Sequence, residues 1–200
     1  MSKKTKRQTP KEPELRLDLG CGRNKIAGDG WKGVDLYAPD VDIKADLFSF
    51  PWKFAKDDSV SELHASHFVE HLPQKIRWQF FAECYRIMKV GATMRIIVPS
   101  WKASRAYGDM THEWPPVTDF FFLYLSRAWR EANRLTYGPY DIKCNFDFQG
   151  GVIGVSPDFA SKADEVQRYH WLHSMEAYSD AWFTLTKKAW DDIPKDAKPT

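Results

Sequence analysis

Three groups of residues in the first half of the chain have the types and spacing of a nucleoside-binding site. The first is an apolar run that stops on two glycines, LRLDLGCG at residues 15–22. It predicts a buried strand and then a turn where backbone approaches a ligand closely, because glycine has no Cβ atom. Asp35 and Asp46 follow near the ends of the next two predicted strands. Taken alone, the run is equally consistent with a tight turn that binds nothing.

The elements that position these residues alternate between strands and crossovers. Such alternation predicts an α/β fold with a parallel sheet covered by helices on both faces. Residues 20–32 form a connection of only thirteen positions, so any helix in the first crossover is abbreviated. In the first half of the chain, the pattern predicts a first strand leading into the glycine turn, further strands at 33–37, 41–47, 59–66 and 93–99, and a helix at 73–89 that begins at Pro73 and is capped by Gly91.

Beyond Pro99 the sequence becomes rich in aromatic residues. Residues 100–140 form an aromatic-rich insertion, which serves either as a lid over an acceptor or as a second layer of core. We predict a helix at 118–135, a half-buried antiparallel strand at 141–148, a hairpin turn at Gly150-Gly151, a mixed helical segment and a last strand at 181–186.

The carboxylates Asp35 and Asp46 indicate which kind of nucleoside ligand the site would bind. A carboxylate that ends the second strand can accept hydrogen bonds from ribose hydroxyls, and one that ends the third can accept from a purine amine. Lys25 stands where a dinucleotide-binding motif needs its third glycine, and no Gly-Lys-Ser/Thr phosphate loop is present. The acids would also repel phosphate. A ligand with ribose, adenine and a cationic centre fits better, which is S-adenosylmethionine; Asp18 would hold a cationic group or orient the amides of the turn.

The chain resembles the class I S-adenosylmethionine-dependent methyltransferases, and is most similar to small, type 11-like members with a short first crossover. The resemblance covers residues 15–99 in order and departs from the family pattern at Val90, where a second glycine often precedes Gly91. It implies a Rossmann-like, mostly parallel sheet of seven strands with an antiparallel last strand. The motifs are LDLGCG at 17–22, GWKGVD at 30–35, ADL at 45–47, ASHFVEHL at 65–72 and ECYRIMKVG at 83–91.

The resemblance also implies where S-adenosyl-L-methionine binds. Gly20 and Gly22 would line its methionine end, and Asp35 would hold its ribose. Asp46 and Leu47 would flank its adenine. The predicted cofactor-binding set is Asp18, Gly20, Cys21, Gly22, Asp35, Leu36, Asp46, Leu47, Ser66 and His67.

Three histidines are the predicted catalytic residues. His67 and His71 come directly after the fourth strand, where the resemblance places the cofactor's methyl group. His112 lies in a segment that resembles the border of an acceptor pocket. A general base is needed only when the accepting atom loses a proton. For Glu70 and His71 a capping role stays open, and for His112 a purely structural one.

Composition limits the domain organisation and the partners. Five of the 29 basic residues and one of the 27 acidic residues fall in positions 1–13, which leaves 24 basic and 26 acidic residues elsewhere. We therefore predict a basic disordered leader at 1–13, a single methyltransferase domain at 14–190 and a polar tail at 191–200. A body without basic excess makes a nucleic-acid partner unfavourable.

The cysteines and the apolar pattern indicate a cytoplasmic protein without a membrane partner. Cys21, Cys84 and Cys144 are widely spaced and form no C-x-x-C pair, which favours reduced thiols and predicts no metal site. No signal-peptide core and no apolar run of about 18 residues is present. The oligomeric state is not predicted.

The expected function is methyl transfer from S-adenosylmethionine to a small-molecule or glycan-like acceptor; the glycan suggestion comes from the resemblance alone. One alternative is a nucleic-acid (RNA) methyltransferase. Two DNA-methylating signatures are missing: the fourth strand is followed by HFVEHL instead of an Asn/Asp-Pro-Pro-aromatic tetrad, and no Pro-Cys dipeptide occurs. A second alternative is a non-catalytic S-adenosylmethionine-binding or scaffold protein.

Overall fold

The computed structural model describes residues 14–28 and 30–193. Seven strands form one sheet in the order β3-β2-β1-β4-β5-β7-β6. The predicted leader at 1–13 and the end of the predicted tail at 194–200 lie outside the described residues. The strands are β1 (Leu15–Leu19), β2 (Trp31–Asp35), β3 (Ile43–Lys44), β4 (Val60–Ser66), β5 (Met88–Pro99), β6 (Phe146–Val155) and β7 (Tyr178–Lys187).

The helices around the sheet are short except for one. That helix, α1, covers Gln74–Ile87 and joins β4 to β5. Among the described residues, no helix is both long and apolar enough to cross a membrane. The other helices are α2 (Arg105–Gly108), α3 (Asp119–Leu123), α4 (Arg127–Ala132), α5 (Pro157–Ala160) and α6 (Asp164–His173), with 3₁₀ turns at Val69–His71 and Gly138–Tyr140.

The parallel part of the sheet consists of β1 to β5. Leu17, Leu19 and Val34 are fully buried, as apolar strands of a parallel sheet are when both faces are covered. β7 runs antiparallel to β5, and β6 runs antiparallel to β7. The predicted fold class is therefore confirmed: a mostly parallel, seven-stranded sheet with an antiparallel last strand and helices around it.

The predicted boundaries were wrong around Gly91. Helix α1 ends at Ile87, and the chain enters β5 at once, because Met88 pairs with Val60 and is fully buried. The register then shifts so that Glu62 faces Thr93, which leaves a bulge in β5. Gly91 lies in this bulge with a φ of +81° and does not cap the helix.

Two predictions about glycines and strands in the second half were also wrong. Gly150 and Gly151 do not close a hairpin; they lie inside β6 opposite Phe183 and Trp182. A Cβ atom on Gly150 would lie 2.6 Å from the Phe183 ring, so these glycines make room for rings on the partner strand. The strand predicted at 141–148 begins only at Phe146, and β6 is antiparallel to β7 alone.

Arg130 explains why Ile142 and Cys144 are buried but do not lie in a strand. Its guanidinium donates to the carbonyl oxygens of Ile142 and Cys144 at 2.9 and 2.8 Å. Because these carbonyl oxygens accept hydrogen bonds from a side chain, they do not pair with the backbone of a neighbouring strand. The helix predicted at 118–135 is divided into α3 and α4, because Ser126 caps a new helix start by accepting from Trp129 N. No helix is present in the described part of residues 20–32.

The aromatic insertion has two parts. The α3 side chains extend the core: the Phe122 ring lies 4.2 Å from the Phe183 ring and is fully buried, and Phe121 stacks on Trp78 at 4.9 Å. Rings before α3 are exposed instead, namely Trp101, Tyr107 and Trp114. The alternative of a second core layer therefore applies to α3, and the exposed rings lie in the part of the insertion that contains His112.

Candidate functional site

The glycine turn after β1 is closed by backbone bonds to β2. Gly20 N donates to Val34 O at 2.8 Å, and Gly20 takes a φ of +66°. The Phe68 ring packs against Gly20 so tightly that a Cβ atom there would lie 2.1 Å from Phe68 Cδ2. Gly22 has a φ of +55° and has no heavy atom within 4 Å of a built Cβ position. Gly20 is thus a packing requirement, whereas Gly22 faces open space.

Asp35 joins the end of β2 to this turn. Its Oδ2 accepts from Gly22 N at 3.0 Å, and its Oδ1 accepts from Tyr37 N and Ala38 N at 2.7 and 2.9 Å. Burial opposes ionisation, but these amides outweigh it and lower the pKa of Asp35, so the group is a carboxylate at neutral pH. A carboxylate has about four acceptor positions. Oδ2 accepts from one amide and Oδ1 from two, so Oδ2 is the oxygen with more room for a ribose hydroxyl, the partner predicted for Asp35.

Asp18 acts inside the fold. It is almost fully buried, and its Oδ2 accepts from Ile26 N at 2.9 Å. Its Oδ1 lies 2.8 Å from His64 Nδ1, on the strand that pairs with β1. Of the two roles predicted for Asp18, the contacts are those of the second, orienting the loop. His64 was not among the predicted site residues; the register of β4 with β1 places it opposite Asp18.

The predicted adenine-side residues lie after β2 and β3. Asp46 is exposed, and its carboxylate accepts from Phe48 N and Ser49 Oγ at 2.8 and 2.6 Å. Leu47 is buried in the hydrophobic core, and Leu36 is half-buried beside Asp35. Cys21 lies in the glycine turn; burial, with the charges of Asp18 and Asp35, raises the pKa of its thiol to about 11. Cys21 is therefore a neutral thiol at physiological pH.

His67 stands at the point where β4 ends after Ser66. It has a φ of +52°, rare for a residue with a side chain, and its N–H donates to Ile97 O at 2.8 Å. Its Nδ1 is 3.3 Å from Glu70 Oε1, and its Nε2 is 3.9 Å from Asp180 Oδ1. The contact with Glu70 raises the pKa of His67, with help from Asp180, against burial and the charge of Arg105.

Asp180 and Arg105 belong to this cluster but were not predicted. Asp180 faces Pro99 across the β5–β7 pairing, and Arg105 Nη1 lies 3.1 Å from Asp180 Oδ1. The antiparallel return of β7 brings Asp180 to the carboxyl edge of β4 and β5. Its position depends on a register that the sequence alone did not give.

His71 and His112 meet on the other side of Glu70. Their rings lie 4.8 Å apart in an edge-on arrangement. The predicted acceptor-side histidines thus form one neighbourhood at the carboxyl end of β4, with Glu70 between His67 and the other two. The structure brings together residues that are about 40 positions apart in the chain.

Arg77 fixes the loop that carries His112. It is 2% exposed and donates to Leu72 O, Glu113 O and Pro115 O at 3.0, 3.0 and 2.6 Å. Glu113 N also donates to Glu70 O at 2.9 Å. These bonds attach the loop after α2 to the 3₁₀ turn after β4. Arg77 had no signal in the sequence beyond a helical position.

A separate cleft of about 530 Å³ lies between β6 and α6, lined by Phe159, Trp171 and Tyr178 among others. It contains none of the predicted site residues. We place the candidate site at the carboxyl edge of β1, β2 and β4, because there open backbone, carboxylates and histidines converge.

Comparisons with known proteins bear on the fold. No family model matches the sequence, and no curated protein sequence matches it. The structure is similar to that of an S-adenosylmethionine-dependent methyltransferase from Archaeoglobus fulgidus, at 20% identity and a TM-score of 0.60, covering 88% of this chain and 86% of the other. It is also similar to a chain in the complex between the Haloferax volcanii Trm112 methyltransferase activator and a methyltransferase. That match has 17% identity and a TM-score of 0.50, and it covers 88% of this chain and 82% of the other. The likeness is one of fold.

Proposed function

We propose that this chain, which has the fold of the class I S-adenosylmethionine-dependent methyltransferases, transfers the methyl group of S-adenosylmethionine to a small-molecule or glycan-like acceptor. The observation that carries the proposal is the turn at Gly22. Its backbone faces open space at the carboxyl edge of the sheet and is held there by the ionised Asp35. An open turn beside an ionised carboxylate at this edge of the sheet leaves room for a ligand with hydroxyl donors.

The chain's own residues would bind the cofactor through backbone and carboxylates. Gly22 leaves room for the methionine end, and the free acceptor position of Asp35 suits one ribose hydroxyl. Asp46, exposed after β3, would lie at the neighbouring edge beside the adenine, whereas Leu47, the other residue predicted there, is buried in the core. When bound, S-adenosylmethionine supplies a methyl group that its sulfonium has already activated. The protein's task is then mainly to position two molecules and exclude water.

The acceptor side would be formed by the histidines after β4 and the exposed rings of the insertion. His67, His71 and His112 offer ring nitrogens that hydrogen-bond an acceptor's polar groups. Trp101, Tyr107 and Trp114 offer flat apolar surface with a polar handle, which suits a sugar-like or other small acceptor. The balance of 24 basic and 26 acidic residues outside positions 1–13 weighs against a nucleic-acid acceptor.

Calorimetric titration of the full chain with S-adenosylmethionine and S-adenosylhomocysteine tests the proposal. We expect saturable binding of both. Asp35→Asn removes the negative charge and half of the acceptor capacity, so we expect affinity to fall about 10- to 100-fold, the effect of losing a hydrogen bond to a charged group.

Asp40→Asn is the matched control, because Asp40 is an exposed acid only five residues away. It should leave both affinities unchanged. Absence of binding by the wild-type chain would overturn the proposed function. Equal affinity in Asp35→Asn and wild type would overturn the ribose assignment while keeping the cofactor.

A further inference from the structure

We propose that Glu70, His71 and His112 form a binding site for one divalent transition-metal ion of the Zn²⁺ class. The sequence analysis predicted no metal site, and this inference does not depend on methyl transfer. One ligand atom from each of the three residues lies within 4.8 Å of the other two. Two imidazole nitrogens and one carboxylate oxygen are a common ligand set for Zn²⁺ and related ions.

The carboxylate of Glu70 is the first independent observation. Glu70 is 4% exposed, and neither side-chain oxygen accepts a hydrogen bond from a described residue. His67 Nδ1 lies 3.3 Å from Oε1, close enough for charge attraction but without the geometry of a hydrogen bond. A buried carboxylate is stabilised by a paired charge or by a bound metal, and beyond the contact with His67 both Glu70 oxygens stay free to coordinate a cation.

The hydrogen-bond contacts of the His71 ring are the second observation. Its Nδ1 lies 3.1 Å from both Thr111 O and Thr111 Oγ1. Thr111 Oγ1 donates its own proton to Asp109 Oδ1 at 2.7 Å, so both Thr111 oxygens can only accept from the imidazole. Nδ1 is therefore the donor nitrogen in these contacts, which leaves Nε2 as the nitrogen able to coordinate a metal ion.

His112 is fixed in the same way. Its Nδ1 lies 3.3 Å from Ala106 O, a carbonyl that can only accept. Nε2 is again the nitrogen able to coordinate a metal ion. Metal-binding histidines nearly always donate their other ring N–H to a carbonyl or carboxylate, which sets the ring's orientation. Both histidines have that second partner.

The surrounding chain holds the three ligands in place. Glu70 and His71 are neighbours in the 3₁₀ turn after β4, and the bond from Glu113 N to Glu70 O brings in the loop with His112. Asp109 Oδ2 lies 3.8 Å from His112 Nε2 at the exposed rim and adds negative charge. The mixed nitrogen and oxygen set favours Zn²⁺, Co²⁺ or Fe²⁺ over Mg²⁺ and Ca²⁺, which prefer oxygen alone. Three protein ligands leave a position for water or an acceptor oxygen.

The test is metal binding by the full chain after treatment with chelator and without S-adenosylmethionine. Titration with Zn²⁺ in a calorimeter should show one equivalent bound, and Co²⁺ should give the visible absorption of a low-symmetry site. His112→Ala and Glu70→Gln should each weaken Zn²⁺ binding more than about 100-fold, beyond what loss of a supporting residue costs.

His173→Ala is the matched control, because it removes an exposed imidazole from α6. It should leave stoichiometry and affinity unchanged. If His112→Ala does not fold, Glu70→Gln, which keeps the size of the side chain, decides the matter. No stoichiometric binding by wild type, or equal binding by wild type and Glu70→Gln, would overturn the site. Cofactor binding without metal binding would leave the proposed function standing and remove only this inference.

Discussion

Replacing Arg77 with methionine is expected to lower the free energy of unfolding by about 4 kcal/mol, because one buried and two part-buried hydrogen bonds from a charged donor are lost. The substitution keeps an apolar stem of similar length but leaves Leu72 O, Glu113 O and Pro115 O without their partner. In a domain of this size the melting temperature should fall by roughly 10 °C. Denaturant unfolding followed by circular dichroism measures both quantities.

The same variant should loosen the loop that carries His112, so Zn²⁺ affinity should fall along with stability. Lys75→Met on the same helix is the control, because Lys75 is exposed and its charge is equally removed. It should change stability by less than about 0.5 kcal/mol. If the free energy of unfolding of Arg77→Met differs from that of the wild type by less than about 0.5 kcal/mol, Arg77 does not anchor the loop.

The two glycines of the β1 turn should respond to alanine in opposite ways. Gly22→Ala places a methyl group where no heavy atom lies within 4 Å. Its cost in stability is that of a positive φ, about 1–2 kcal/mol. We expect affinity for S-adenosylhomocysteine to fall at least about 10-fold, since close backbone approach is what glycine permits. Calorimetry on the folded variant measures this loss.

Gly20→Ala should instead damage the fold. Its methyl group would overlap the Phe68 ring, which packs against Phe80 in the core. Overpacking and a positive φ together should cost about 3 kcal/mol. Gly91→Ala is the control for both variants, because it has a φ of +81° and open space but lies toward the other end of β5. It should lose stability and keep affinity. Full affinity in Gly22→Ala would show that the turn does not contact the ligand.

The first half of the fold was predictable because its signals are local. Leu17 and Leu19 alternate with Arg16 and Asp18 and the run stops at Gly20, so the residues of the strand themselves identify it. The same applies to α1, whose buried face includes Phe80, Cys84 and Ile87 at helical spacing. The predicted cofactor edge needed only the rule that carboxyl ends of parallel strands meet.

The second half was less predictable because its determinants are non-local. Gly150 resembles a turn residue, but the Phe183 ring on β7 decides its conformation. The apolar residues Ile142 and Cys144 alternate with polar ones as in a strand, but their carbonyl oxygens accept hydrogen bonds from Arg130. Asp180 reaches His67 only through the β5–β7 register. Each depends on a partner more than ten residues away that no local pattern identifies.

The residues of the candidate site also fall into those with a local sequence signal and those that depend on distant partners. Gly22 and Asp35 could be found from spacing, whereas the reduced acceptor capacity of Asp35 depends on Tyr37 N and Ala38 N, which the strand pattern did not show. His71 and His112 were chosen separately as catalytic candidates. The contact between His71 and His112, and the position of the buried Glu70 between these two rings and His67, depend on the packing of the loop after α2 beside β4.

A crystal structure of the full chain with S-adenosylhomocysteine tests the central claim most directly. We predict that the ligand lies along the carboxyl edge of β1, β2 and β4, with its amino-acid end over Gly22, one ribose hydroxyl on Asp35 Oδ2 and its sulfur toward His67. Density for the ligand in the cleft between β6 and α6, or contacts that leave out both Gly22 and Asp35, would contradict the account.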